Sequence, residues 1–107
     1  MTTAKALYHD WRDLSATRYA MLAEFDKQAE DIRKCVHWLT AQDVAILAID
    51  LRRNRRQPHI QVAAATLLHR LFGEDCATVE RRQDGDSLVY TWAATRFDCA
   101  IRWEEFA

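Results

Sequence analysis

The chain is poor in residues that break or specialise a backbone, with 2 glycines and 1 proline among 107 residues. This scarcity excludes collagen-like and linker-like chains, and also the glycine-rich loops that bind nucleotide phosphates. No charge of one sign dominates, because 15 Lys and Arg stand against 16 Asp and Glu, for a net charge of -1. We therefore expect no association with nucleic acid or anionic membranes that overall charge alone would drive.

Long apolar runs are also missing. The longest, residues 44–49, falls far short of the roughly 20 residues that a membrane-spanning helix needs. Residues 1–6 lead directly into Tyr8, His9 and Asp10, which leaves no apolar segment for a secretion signal. We expect a cytoplasmic protein that does not bind membranes.

Cysteine is scarce and unevenly placed. Cys35, Cys76 and Cys99 are odd in number and widely spaced, which favours reduced thiols buried as small hydrophobic residues over a disulfide framework. Cys35 and His37 are two positions apart, so on a helix they would point about 200° from each other and could not chelate one ion. We expect neither a metal site nor a cofactor.

No motif for nucleophilic or acid–base catalysis is present. Ser15, Ser87 and the cysteines lie in none of the sequence contexts that activate a nucleophile. We interpret His9 beside Asp10, and His69 among leucines, as surface or boundary residues. The sequence predicts no catalytic residue and no enzymatic activity.

The N-terminal third predicts one long helix. Residues 3–39 contain no Gly or Pro, Thr2 or Thr3 can cap the first turn, and apolar side chains recur mostly at steps of three and four: Leu7, Trp11, Leu14, Leu22, Phe25, Ala29, Ile32, Val36 and Leu39. A continuous helix of this length measures on the order of 55 Å, against about 26 Å for a compact domain of this size. Either the chain breaks near residues 13–17, where Ser15 could cap a second helix, or the helix projects and packs against a second copy. We expect the unbroken helix, which leaves a homodimer through it as one of the expected assemblies.

After residue 43 the pattern predicts strands. Residues 44–51 are rich in β-branched and aliphatic side chains, and a second short strand begins near Ile60. Between these strands lie four arginines and Pro58, so we predict a β-hairpin with a cationic tip. Residues 63–72 return to helical spacing, with Gly73 at the C-cap position.

The last third predicts three strands in a meander. The first begins at Ala77, a turn follows at Asp84 and Gly85, and the second strand alternates through residues 88–92. A second turn near residues 94–96 would lead into a closing strand over 97–103, with one face of the sheet wet and the other in the core. We predict a single α+β domain over residues 1–107, in the order α-β-β-α-β-β-β, with the long helix packed on an antiparallel sheet of about five strands.

The four arginines are the strongest local feature of charge. Residues 40–73 hold five arginines against two acids, whereas residues 74–107 hold four arginines against eight acids. Guanidinium groups suit phosphate or carboxylate, and Asp50 is the only acid near them. The alternative interpretation is a solvated turn that charge keeps soluble. The four residues are Arg52, Arg53, Arg55 and Arg56.

The four tryptophans divide into two groups. Trp11 lies on the apolar stripe of the helix, and Trp92 and Trp103 fall on the inward phase of their strands, so core packing explains them. Trp38 lies off that stripe. We assign it to a partner interface, because exposed tryptophan is enriched in binding hot spots.

A chain of this size, rich in Trp and Arg and closing on the strand FDCAIRW at residues 97–103, resembles small accessory proteins of bacteriophages and other mobile elements, including anti-CRISPR and host-takeover inhibitors. The resemblance concerns general layout and transfers no functional residue. It implies a non-enzymatic protein-binding module that inhibits or modulates a partner complex. The candidate partner-binding residues are Trp38, Arg52, Arg53, Arg55 and Arg56. The alternative is a nucleic-acid-associated regulator whose arginine hairpin contacts the phosphate backbone, which the eight acids of the final third oppose.

Overall fold

The fold is α+β, with two helices packed on one face of a five-stranded sheet. The computed structural model describes residues 11–51 and 57–107, and of these the side chains of all but 11–17. The elements are α1 (Trp11–Ala41), β1 (Ile46–Asp50), β2 (His59–Val62), α2 (Thr66–Phe72), a 3-10 turn (Gly73–Asp75), β3 (Ala77–Asp84), β4 (Ser87–Arg96) and β5 (Cys99–Phe106). The predicted order is confirmed, and the boundaries shift by a few residues.

The sheet is mixed, so the prediction of a purely antiparallel sheet is wrong. The strand order is β1-β2-β5-β4-β3, and β2 pairs with β5 in parallel. The reason lies in the connection through α2, since a strand–helix–strand crossover returns the chain in its original direction. Strand β3 therefore runs parallel to β2, and two antiparallel pairings later β5 runs the same way.

Helix α1 is continuous from Trp11 to Ala41, with no break at residues 13–17. Its 31 residues correspond to about 46 Å at the usual helical rise. The described structure has a radius of gyration of 19.0 Å and a longest extent of 59 Å, against a radius of about 13 Å for a compact chain of this length. Helix α1 therefore projects beyond the sheet.

The core lies between the C-terminal half of α1, α2 and the middle of the sheet. Cys35 and Leu39 of α1, Leu68 and Phe72 of α2, and Trp103 of β5 all belong to one buried cluster. A row of rings crosses this layer with neighbouring centroids 5.8 to 6.4 Å apart, in the order Trp92, Trp103, Phe72, Trp38, Phe97. Burial of these large side chains is the main stabilising term for so small a domain.

The second turn of the meander lies at Phe97 and Asp98, not at residues 94–96 as predicted. Both residues have positive φ, 50° and 58°, and the flanking pair Arg96 and Cys99 closes a two-residue hairpin. Two-residue hairpins with positive φ at both positions match the twist of the flanking strands. The prediction failed because Phe-Asp is not one of the residue pairs that usually signals such a turn.

The predicted inward face of β4 is confirmed for Trp92, which packs against the core cluster, but the residues most buried in the first half of the strand lie on the other face. Val89 and Thr91 are buried, whereas Leu88, Tyr90 and Trp92 are partly exposed. On the face away from the helices, Val89 is flanked by Arg82 of β3 and Phe106 of β5. Neighbouring strands thus bury residues that alternation alone assigns to solvent.

Two leucines of α1 test whether its C-terminal half is packed in the core while its N-terminal half projects. Leu39 is fully buried, whereas Leu22 is 55% exposed. Leu39→Ala is expected to lower the free energy of unfolding by about 2–5 kcal/mol, through lost burial and a residual cavity. Leu22→Ala should change it by less than about 0.5 kcal/mol. Urea unfolding at low protein concentration measures both, and equal losses would contradict the assigned packing.

Candidate interaction surface

The register of the sheet brings several predicted binding features to one end of the molecule. His59, at the start of β2, pairs with Ala100, at the start of β5, and the Ala100 N–H donates to the carbonyl of Pro58. The segment between β1 and β2 therefore leaves and rejoins the sheet at the same end as the Phe97–Asp98 turn. We call this end, with Trp38, Arg96 and Phe97, the turn-end surface.

Trp38 lies in this surface as a half-buried residue. Its ring centroid is 5.8 Å from that of Phe72 beneath it and 6.2 Å from that of Phe97. Phe97 is 43% exposed. Trp38 thus packs against the core cluster and also contacts a partly exposed aromatic ring. A tryptophan supported from below and open at one edge has the character of a binding anchor.

Arg96 lies over the rings of Trp38 and Phe72. The guanidinium carbon lies 5.2 Å from the centroid of Trp38 and 5.7 Å from that of Phe72, which is cation–π geometry. Its Nε is buried and has no hydrogen-bond partner. The nearest acid along the chain, Asp98, is instead held by Lys27 at 3.3 Å. Within the described residues, Arg96 is a cation without a carboxylate.

Lys27 marks the point where α1 leaves the sheet layer. Its ammonium group is 2.8 Å from Asp31 and 3.3 Å from Asp98, and these hydrogen bonds raise the pKa of Lys27. Every side chain from Arg18 to Lys27 is exposed. We call residues 18–27 the arm. The arm continues the apolar stripe of α1 beyond the sheet, with Tyr19, Leu22 and Phe25 more than half exposed.

The predicted partner-binding residues fall into two groups. Trp38 lies in the turn-end surface. Arg52, Arg53, Arg55 and Arg56 lie outside the described residues, but the flanking residues place the ends of their segment at this same end of the sheet. Arg96 and Phe97 were not among the predicted residues, because the sequence interpretation placed Arg96 in a turn and Phe97 at the start of the closing strand.

A polar groove of about 410 Å³ lies on the sheet face away from the helices. Arg102 on β5 is its central cation, and three acids, Asp50, Glu80 and Glu104, line it as well. Glu104 is committed to Arg82 at 2.9 Å, and that hydrogen bond lowers the pKa of Glu104. The groove offers mixed charge with an acidic excess and selects neither for a simple anion nor for a simple cation.

A second cluster lies at the opposite end of β5. His69 of α2 places Nε2 2.6 Å from Oε2 of Glu105, and the indole N–H of Trp103 donates to the same oxygen at 2.8 Å. The His69 ring packs edge-to-face on Trp92 with centroids 4.7 Å apart. On its other side, Nδ1 of His69 lies 3.9 Å from Sγ of Cys76. A thiol, an imidazole and a carboxylate thus stand in a row.

Sequence analysis interpreted His69 as a surface or boundary residue and did not connect it with Glu105. The two lie 36 positions apart, and only tertiary packing of α2 on the sheet joins them. One signal was available, since Trp103 and Glu105 are two positions apart on a strand and therefore share a face.

The other two cysteines meet inside the core. Cys35 of α1 and Cys99 of β5 are both fully buried as free thiols. The hydrogen bond with Cys35, together with burial, raises the pKa of the Cys99 thiol. These sulfur atoms act as small core side chains, as the sequence predicted.

The described part of the chain holds no group of three or more His, Cys, Asp and Glu side chains arranged for a metal ion. In the same part, no helix combines the length and the apolar character that crossing a membrane requires. No protein-family model matches the chain, and no curated protein or solved structure is significantly similar to it.

Proposed function

We propose that this protein is a non-enzymatic protein-binding module that inhibits or modulates a partner protein complex, in the manner of small bacteriophage accessory proteins. The observation that carries the proposal is the turn-end surface, where Arg96 lies over Trp38 and has no carboxylate partner within the described residues, next to the partly exposed Phe97. Tryptophan and arginine are the residue types that dominate binding hot spots, and Arg96 is already desolvated on one side.

The surface fits an acidic protein. The partner would supply a carboxylate to Arg96 and an apolar side chain to the ring of Phe97. The arginine segment between β1 and β2, which joins the sheet at the same end, would add further bidentate donors for carboxylates. The opposing view is a nucleic-acid backbone as the ligand. The acidic excess of residues 74–107 and the apolar character of the Trp38 and Phe97 pair favour protein.

The arm supplies a second proposal, a homodimer. Arg18 and Asp26 are four residues on either side of Leu22, and Tyr19 and Phe25 are three residues on either side. An antiparallel pairing with its two-fold axis at Leu22 would therefore place Arg18 against Asp26 of the second copy, twice, and Tyr19 against Phe25. Neither Arg18 nor Asp26 has an ion-pair partner within the described residues. Such self-complementarity is what a two-fold interface requires.

The turn-end surface is tested by Phe97→Asn and Arg96→Gln. Asparagine tolerates the positive φ of residue 97 better than phenylalanine does, so Phe97→Asn should leave stability unchanged or raise it while removing the aromatic contact. Each variant is expected to weaken partner binding by roughly tenfold or more, as hot-spot truncations do. Arg81→Gln, at an exposed position on β3, is the matched control.

Binding is measured by affinity capture from nuclease-treated and untreated lysate, followed by titration of the captured protein with each variant. A nuclease-resistant partner that Phe97→Asn and Arg96→Gln lose and Arg81→Gln keeps supports the proposal. Recovery of nucleic acid alone, together with binding to a labelled duplex DNA, would instead establish the alternative. A protein partner that binds both variants as tightly as the wild type would refute the proposal that the turn-end surface is the binding site.

The homodimer is tested by exchanging the charges of the arm. Arg18→Glu should bring like charges together at two symmetry-related places and shift the molar mass in solution toward that of one chain. The double variant Arg18→Glu with Asp26→Arg should restore the dimer, because it recreates the pair with reversed polarity. Arg81→Glu is the control for net charge. A wild-type monomer at high concentration in sedimentation equilibrium, or a double variant that fails to recover, would count against the arrangement.

A further inference from the structure

The row formed by Cys76, His69 and Glu105 has the connectivity of an activated nucleophile. A thiol next to an imidazole, with the imidazole oriented by a third group, is the arrangement that turns cysteine into a reactive thiolate. Here the third group is the Glu105 carboxylate, 2.6 Å from His69 Nε2, and it is fixed by a second hydrogen bond from the Trp103 indole. The proposed protein-binding function makes no use of this row.

The partners of His69 determine its tautomer. A carboxylate oxygen can only accept, so Nε2 of His69 must carry the proton that it donates to Glu105. Nδ1 is then the basic nitrogen of the neutral ring, and it faces Sγ of Cys76 at 3.9 Å. Edge-to-face packing on Trp92 and Trp103 holds the ring in this orientation. The thiol has its base in place.

Access to the cluster is limited in a way that selects for small reagents. Cys76 is 8% exposed, whereas the side chains of His69 and Glu105 are 36% and 34% exposed. Solvent therefore reaches the imidazole, and the sulfur lies just below the surface. Cys35 and Cys99 are fully buried and hydrogen-bond to each other rather than to a histidine, so they serve as internal references.

We propose that Cys76 is a modification site, a nucleophilic thiol that hydroperoxides oxidise to a sulfenic acid. The thiol, which donates to the Gly73 carbonyl at 3.3 Å in the resting state, turns its proton to Nδ1 of His69. The thiolate attacks one peroxide oxygen, the S–O bond forms and the O–O bond breaks. The departing oxygen takes the proton from Nδ1 and leaves as water or an alcohol. Sulfur loses two electrons and the peroxide gains them, so the step is balanced.

His69 is the base in this step and Glu105 is a positioning residue. The carboxylate stabilises the imidazolium that forms when Nδ1 takes the proton, and it keeps the ring aimed at the sulfur.

The test treats the full-length protein with hydrogen peroxide, traps sulfenic acid with dimedone and assigns adducts by peptide mass spectrometry. The adduct is expected at Cys76 and absent from Cys35 and Cys99. His69→Phe keeps a ring against Trp92 but removes both nitrogens, and it should slow formation of the adduct by about 10²-fold. Cys76→Ser should abolish it.

Glu105→Gln is the second variant, and it keeps an oxygen that can accept from His69 and Trp103. It should slow formation of the adduct at Cys76, because a neutral amide no longer stabilises the imidazolium that forms when Nδ1 of His69 takes the proton. A purely structural role for Glu105 would leave the rate unchanged, because glutamine keeps the size of the side chain and the accepting oxygen. Equal Cys76 rates in wild type and both variants, or no adduct at Cys76 while glutathione reacts under the same conditions, would overturn the proposal.

Discussion

The position of β5 between β2 and β4 determines where the turn-end surface and the row formed by Cys76, His69 and Glu105 lie. Its parallel pairing with β2 brings the ends of the arginine segment next to the Phe97–Asp98 turn. Its antiparallel pairing with β4 sets Trp103 directly opposite Trp92, which begins the aromatic row. Two residues after Trp103, Glu105 forms a hydrogen bond with His69. A central strand is buried on both sides by neighbours, so its register is strongly specified by the side chains that it carries into the core.

The same strand separates the two proposed sites. Cys99 begins β5 beside the turn-end surface. Glu105, six positions later, belongs to the row of Cys76, His69 and Glu105, which we call the thiol cluster. At the usual rise of a strand these positions are about 20 Å apart. Distant sites without shared partners behave additively to a good approximation. Binding at the turn end and oxidation of Cys76 are therefore expected as independent properties, even though packed rings lie between them.

Local signals in the sequence predicted much of the fold. The unbroken apolar stripe predicted α1, and Gly73 and Gly85, both at positive φ, marked the end of α2 and the first turn of the meander. The parallel pair could not be predicted, because it depends on which strand enters the middle of the sheet. The Phe97–Asp98 turn lacked the usual glycine or asparagine. Once that turn was placed too early, Arg96 and Phe97 could not be recognised as neighbours of Trp38.

The thiol cluster illustrates the opposite case, in which no motif marked the site and strand alternation linked only Trp103 with Glu105. His69, Cys76 and Glu105 come from a helix, a connection and a strand, and none of them lies in a catalytic motif. The cluster is joined because α2 must bury Leu68 and Phe72 against Trp103, and His69 lies between those two positions on the helix. Packing of Phe72 on the sheet therefore brings His69 to the sheet as well. There His69 contacts the Glu105 carboxylate, which strand alternation places on the same face as Trp103. Hydrophobic packing thus assembles the polar row, and the only requirement that the row adds is that Glu105 and Cys76 have side chains that can bond to an imidazole.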